Sequence, residues 1–139
     1  MNILEKDFVP CEPSLALKEL GFDEPCFANY TVIPEDGIDW FTIPEQGITD
    51  KTSFGSSKNY NSKFFEEEGT ISAPTFSQAF RWFRKNHKLS AILSQFGYAI
   101  EDEYGQIIYN IDDDEKHLCY EEAELACLIK LIEIVKNKQ

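Results

Sequence analysis

A length of 139 residues is that of one compact domain and excludes two full ones, since domains average about 100–150 residues. Hydrophobic residues make up 42% and aromatic residues 14% (11 Phe, 6 Tyr, 2 Trp), enough for a sizeable core, which excludes wholesale disorder. Thirteen Lys and Arg against 25 Asp and Glu leave a net charge of −12, which repels phosphate backbones and anionic bilayers, so neither direct nucleic-acid binding nor membrane association is expected.

The stretch from Met1 to Asp7 contains Glu5 and Asp7 and no long apolar run, whereas a signal peptide needs a basic start and about 7–15 apolar residues, so export by that route is not expected. A membrane span is not expected either: Glu124, Lys130 and Glu133 interrupt even the most apolar segment, well short of roughly 18 uninterrupted apolar residues. Cys11, Cys26, Cys119 and Cys127 are read as reduced thiols of a cytoplasmic protein, because a chain this apolar needs no disulfide staples.

Pro13 followed by Ser14 to Gly21 predicts an opening helix of about two turns, with Gly21 ending it in a left-handed conformation. Cys26 to Ile33 mixes β-branched and aromatic residues before Pro34 and predicts a strand. Asp39 to Ile43, between Asp36-Gly37 and Pro44, predicts a second strand that pairs with it as a hairpin. From Glu45 to Gly69 the chain turns to Gly, Ser and Asn, with Phe54, Tyr60, Phe64 and Phe65 scattered among them. An irregular loop of roughly 25 residues is unusual inside a compact domain and points to function, to disorder, or to a concealed strand near Lys63 to Phe65 or Thr70 to Ser72.

Ala73 to Lys85 has a helical period, with Phe76, Ala79, Phe80 and Phe83 on one face and Ser77, Arg81, Arg84 and Lys85 elsewhere. Its start fits either Pro74 in the first turn or a capping box of Thr75 and Gln78. Ala91 to Glu101 and Gln106 to Ile111 flank the turn residues Asp102 to Gly105 and predict a β-hairpin. Tyr120 to Lys136 predicts a helix with Glu in its first turn and Lys at its end. Its apolar positions cover two adjoining faces, Ala123, Cys127, Leu131 and Ile134, and Leu125, Leu128 and Ile132, a width that implies burial between a sheet and something else. The sum is a single α+β domain over residues 1–139, with an antiparallel sheet of about four to five strands and two long helices on one face. No Gly-rich phosphate loop precedes a helix, so a doubly wound nucleotide-binding fold lacks support.

Three blocks, Ala16 to Phe27 (ALKELGFDEPCF), Ala73 to Arg84 (APTFSQAFRWFR) and Tyr120 to Leu128 (YEEAELACL), resemble a family of small proteins of Bacteroidetes phages and their bacterial hosts. The similarity spans about a third of the chain and carries over no functional residue. What the resemblance implies is context: a small phage-type interaction or inhibitor protein acting on a host protein or defence factor.

Read for chemistry, the residues carry no catalytic spacing, and neither an enzyme activity nor a cofactor is expected. His117, Cys119 and Cys127 lack the close ligand pairs of structural zinc, and Cys11 and Cys26 lie fourteen residues apart in the intervening sequence, so no metal site is expected. Cys119 occupies an N-cap slot with Glu122 three residues on, and the surrounding acids oppose a thiolate. Cys127 reads as a small hydrophobe, and His87 as a helix C-terminal residue favoured by the dipole. The run Asp112 to Glu115 lacks the alternation and Gly of a calcium loop and reads as a solvated acidic connection.

Two features remain. Arg81, Trp82, Arg84 and Lys85, with Lys88, form the only basic cluster, able to hold an anionic group in guanidinium forks; the plain structural explanation is that they neutralise the chain's own acids, with Trp82 in a packing face. Phe54, Tyr60 and Phe64 in the polar loop have the composition of an adaptable recognition surface. The leading expectation is a non-enzymatic binding protein with a host protein as partner, its −12 charge able to imitate a phosphate surface. The alternative is a small-molecule-binding protein or enzyme using Arg81, Arg84 and Lys85 on an anionic ligand. A third role is a homo-oligomer formed through the C-terminal helix.

Overall fold

The computed structural model describes residues 6–33, 38–42, 69–94, 97–111 and 119–138. Helices and strands follow the order α1 (Cys11–Glu19), β1 (Ala28–Ile33), β2 (Ile38–Thr42), β3 (Gly69–Ala73), α2 (Phe76–His87), β4 (Ser90–Leu93), β5 (Tyr98–Glu101), β6 (Ile107–Asn110) and α3 (Tyr120–Lys138). All the strand pairs are antiparallel, and the α+β class read from the sequence stands. The strands do not make one sheet, however: they divide into two three-stranded sheets, β2-β1-β3 and β4-β5-β6. The chain separates into two compact units, Met1–Thr75 and Phe76–Gln139, each with one sheet. Among the described residues no helix is long and apolar enough to cross a membrane.

In the first unit β1 is the central strand. Tyr30 stands opposite Phe41 on one side and Ile71 on the other, so the predicted hairpin forms and the segment around Thr70 to Ser72 supplies its third strand. Helix α1 packs against β3. It ends as Gly21 predicts: at φ +102° its N–H bonds to Lys18 O at 3.0 Å, and the Phe22 N–H returns to Leu17 O at 2.9 Å. Those two bonds satisfy carbonyls that a helix end leaves orphaned, and Phe22 and Leu17 bury together behind them. The start lies earlier than Pro13. Cys11 opens the helix after Pro10, whose carbonyl accepts the Ser14 N–H at 2.9 Å.

Ahead of α1, Val9 N–H bonds to Pro74 O at 2.8 Å and Phe8 bridges Thr75, tying the N-terminal segment beside the end of β3. The Val9 carbonyl accepts from two buried hydroxyls, Ser14 Oγ at 3.1 Å and Tyr30 Oη at 3.0 Å. Phe8, Ala28, Tyr30 and Ala73 form a core cluster lined by Cys11 and Phe41. The Phe41 ring lies 5.3 Å from Phe8 and 5.4 Å from Tyr30, both tilted, the geometry aromatic quadrupoles favour.

In the second unit α2 buries Phe76, Ala79, Phe80 and Phe83, the four residues assigned to one face by periodicity, and Trp82 beside them. It begins at Phe76, which leaves Thr75 in the position before the helix and Gln78 three residues on, the capping-box placement rather than the Pro74 one. Its far end stops at Lys88, a non-glycine residue at φ +58°, with Leu89 N–H reaching back to Phe83 O at 3.3 Å.

The segment Ala91 to Glu101 is not a single hairpin arm. It breaks into β4 and β5, with Ser94 N–H bonded to Gly97 O at 2.9 Å and Ser94 Oγ within 3.2 Å of both the Gly97 N–H and carbonyl. Gly97 and a serine hydroxyl competing for the backbone are the turn signal that strand propensity obscured. The next turn is as predicted: Asp102 Oδ1 accepts the N–H of Tyr104 at 2.9 Å and of Gln106 at 3.0 Å, with Gly105 at φ +79°.

Tyr98, Ile100 and Tyr109 share a face of this sheet; the two tyrosine rings stack at 5.7 Å, and Lys130 of α3 lies 4.4 Å from the Tyr109 centroid while pairing with Glu133 at 3.1 Å. Helix α3 packs on β4, β5 and α2, which explains the width of its apolar surface: Ala123, Cys127, Leu128, Leu131, Ile132 and Val135 are all buried. Cys119 precedes it as the N-cap position requires, its carbonyl accepting the Ala123 N–H at 3.2 Å.

Candidate functional site

The basic cluster divides by the geometry of α2. Residues 81, 84 and 85 recur at helical spacings of three and four, which places Arg81, Arg84 and Lys85 on one stripe, and all three are exposed. Lys88, also exposed, follows in its left-handed position. Trp82 does not join them. It is 5% exposed, its ring 5.0 Å from Phe83 and 4.9 Å from His87, both edge-on, and so it belongs to the packing face, not to a ligand surface. Asn86 adds a side-chain bond to Trp82 O at 3.1 Å.

Among the described residues no ion pair reaches Arg81, Arg84 or Lys85. Arg84 and Lys85 lie in the last turn, where the helix dipole favours cations. Arg81 lies one turn further back, beyond that effect, with like charges three and four residues away that cost a few tenths of a kcal/mol, roughly 0.2–0.5 per pair. A wider charge pattern frames it. No Asp or Glu occurs between Glu68 and Glu101, yet four of the 13 cations do, Arg81, Arg84, Lys85 and Lys88. That acid-free span is the sequence signal that most directly marks the surface.

His87 lies in the last turn of α2, as read from the sequence. Burial against the Trp82 and Phe83 rings lowers its pKa from the ordinary 6.5, and the nearby Lys138 charge lowers it further. The thiols are all free. Cys127 is fully buried in α3, where desolvation, with Glu124 adding to it, pushes its pKa up to about 12. Cys26 is buried with its Sγ 3.4 Å from Glu24 O. Among the described residues no three His, Cys, Asp or Glu side chains converge as metal ligands. Phe54, Tyr60 and Phe64 lie outside the described residues, as do Phe65, His117 and the run Asp112 to Glu115. On α3 the exposed large apolar residues are Tyr120 and Ile129, while Leu125, Ala126 and Ile134 are half-buried.

The chain matches no protein-family model, no curated protein and no solved structure.

Proposed function

We propose that the chain is a non-enzymatic binding protein of the phage type that the resemblance implies, acting in the cytoplasm of a bacterial host on a host protein, with the cationic stripe of α2 as its contact surface. The observation that carries the reading is the exposure of Arg81, Arg84 and Lys85 on one stripe without an acidic partner among the described residues. Arginine forks bind carboxylates bidentately, so the surface suits an acidic patch. Because the chain as a whole carries −12, the fitting partner is one whose acidic patch sits within a basic surround: the surround meets the chain's acids and the patch meets α2.

The test is affinity capture from host lysate with the full chain and its Arg81→Glu/Arg84→Glu variant, followed by cross-link mapping. The expected result is a partner held by the parent chain, cross-linked at α2, and released from the variant. The same partner retained equally by both rejects the stripe as the contact surface. The adjacency of two guanidinium groups, Arg81 and Arg84, favours a second reading, a small anionic ligand, which thermal-shift screening against nucleotides and phosphorylated metabolites tests. A ligand at 100 times its dissociation constant adds about 2.7 kcal/mol of stability.

A further inference from the structure

The cations Arg81, Arg84, Lys85 and Lys88 follow the spacing i, i+3, i+4, i+7. On a surface helix that spacing ordinarily marks the apolar seam that a neighbouring element covers. The apolar seam of α2 is a different one, Phe76, Ala79, Phe80 and Phe83, all buried. The helix therefore carries a second seam, cationic and open to solvent. Among the described residues no ion pair reaches any of its four members. The other exposed residues of α2 are Ser77 and Asn86, neither of them apolar, so contact on this side is made by charge and hydrogen bonding and not by apolar burial.

Charge and spacing together decide what fits. At a rise of about 1.5 Å per residue, Arg81 and Arg84 are offset by about 4.5 Å along the axis and Arg81 and Lys85 by about 6 Å. A strand repeats its same-face side chains at one interval of about 6.6–6.8 Å and misses the shorter offset by about 2 Å. A second helix with carboxylates at i, i+3 and i+4 repeats both offsets, so each cation meets one acid and each guanidinium fork has a carboxylate to hold. Lys88, just past the helix end in its left-handed conformation, closes the row.

We propose, on the reading of this stripe as the contact surface, that it docks a helix of the partner whose exposed side carries Asp or Glu at i, i+3 and i+4. The matching pitch supplies selectivity among acidic surfaces, and the charges supply affinity that salt weakens.

The experiment is fluorescence anisotropy of the full chain at low salt with two alanine-based peptides of about 15 residues, identical in composition and matched in helicity by circular dichroism. One carries its Glu residues at i, i+3, i+4 and i+7, and in the other they are spread around the helix. The striped peptide is expected to bind about tenfold or more tightly than the dispersed one, with a preference that shrinks as salt rises. Arg81→Glu/Arg84→Glu, which changes two exposed side chains, loses the striped peptide and gains a counterpart with Lys at the same positions. Lys85→Gln weakens the striped peptide in the same direction and serves if the double variant does not fold. Equal affinity of the parent chain for both peptides, with both lost in the double variant, overturns helix recognition and leaves the stripe as a contact surface. Equal binding of both peptides by parent and double variant overturns the contact surface as well. Binding of neither peptide overturns helix recognition, and so does a concentration-dependent dimer that the double variant disperses, which assigns the stripe to acids of a second copy.

Discussion

Ser14 and Tyr30 place their hydroxyls on one acceptor, the carbonyl oxygen of Val9, at 3.1 and 3.0 Å. All three residues are buried. Either donor alone keeps the oxygen bonded, so Ser14→Ala and Tyr30→Phe each cost about 1 kcal/mol. The pair together strands a buried carbonyl and costs more than the two singles added, by about 1 kcal/mol or more. Urea unfolding of the four members of the double-mutant cycle measures the coupling, and strict additivity contradicts the shared-acceptor picture.

Two helix ends use a left-handed residue, and only one of them is glycine. At Gly21, φ +102°, an added Cβ meets nothing within 4 Å, so Gly21→Ala pays only the backbone penalty, about 1 kcal/mol. At Lys88, φ +58°, the substitution to Gly relieves strain and stabilises by about 0.5–1 kcal/mol. Thermal melts of the two variants shift in opposite directions.

His87 has its pKa lowered in the folded state by burial and by Lys138. Below the ordinary 6.5 the unfolded chain takes up this proton before the folded one does, so stability is lost as pH falls through that window; above 6.5 both states are neutral and nothing changes. In His87→Gln this component disappears. The urea midpoint of the parent chain therefore drops more than that of the variant between about pH 7.5 and 5.5, with equal pH dependence as the failing result.

Cys127, with its pKa pushed up to about 12 and its side chain inaccessible, has almost no thiolate at neutral pH. Cys11 and Cys119, half-buried, react with a thiol reagent first, and Cys127 reacts only as fast as the second unit opens. Mass-spectrometric mapping of alkylation over time gives the order. Cys127→Ser buries a hydroxyl among apolar neighbours and destabilises by roughly 1–3 kcal/mol.

Much of this organisation is legible in the residues because local and tertiary demands agree. The apolar period of Phe76, Ala79, Phe80 and Phe83 reads as a buried helix face and is one, Gly21 reads as a left-handed stop and is one, and Asp102 to Gly105 reads as a turn. Sequence reasoning fails where the same residue type satisfies two roles. Ala91 to Glu101 has continuous strand composition, and only Ser94 and Gly97 mark the reversal inside it. The division of the strands into two sheets has no local signature, since strand partnership depends on long-range register.

The candidate surface was partly legible too. Charge and spacing identify Arg81, Arg84 and Lys85, but whether Trp82 faces solvent or core rests on the neighbours Phe83 and His87 supply. That β6 is the outer strand of its sheet among the described residues is not read from its isoleucines, because Ile107, Ile108 and Ile111 look the same in a central strand as in an outer one.

The bond from Val9 to Pro74 joins the two extremes of the first unit. Its closure is long-range, whereas the β4-β5-β6 meander of the second unit is assembled from neighbours in sequence. Loop-closure entropy makes distant pairings late and adjacent ones early, so a nascent chain leaves the Val9 N–H without its acceptor until Pro74 has left the ribosome. Truncation ahead of Pro10 would leave that unit permanently in this unfinished condition, because it removes both the Val9 N–H that meets Pro74 and the Val9 carbonyl to which Ser14 and Tyr30 donate.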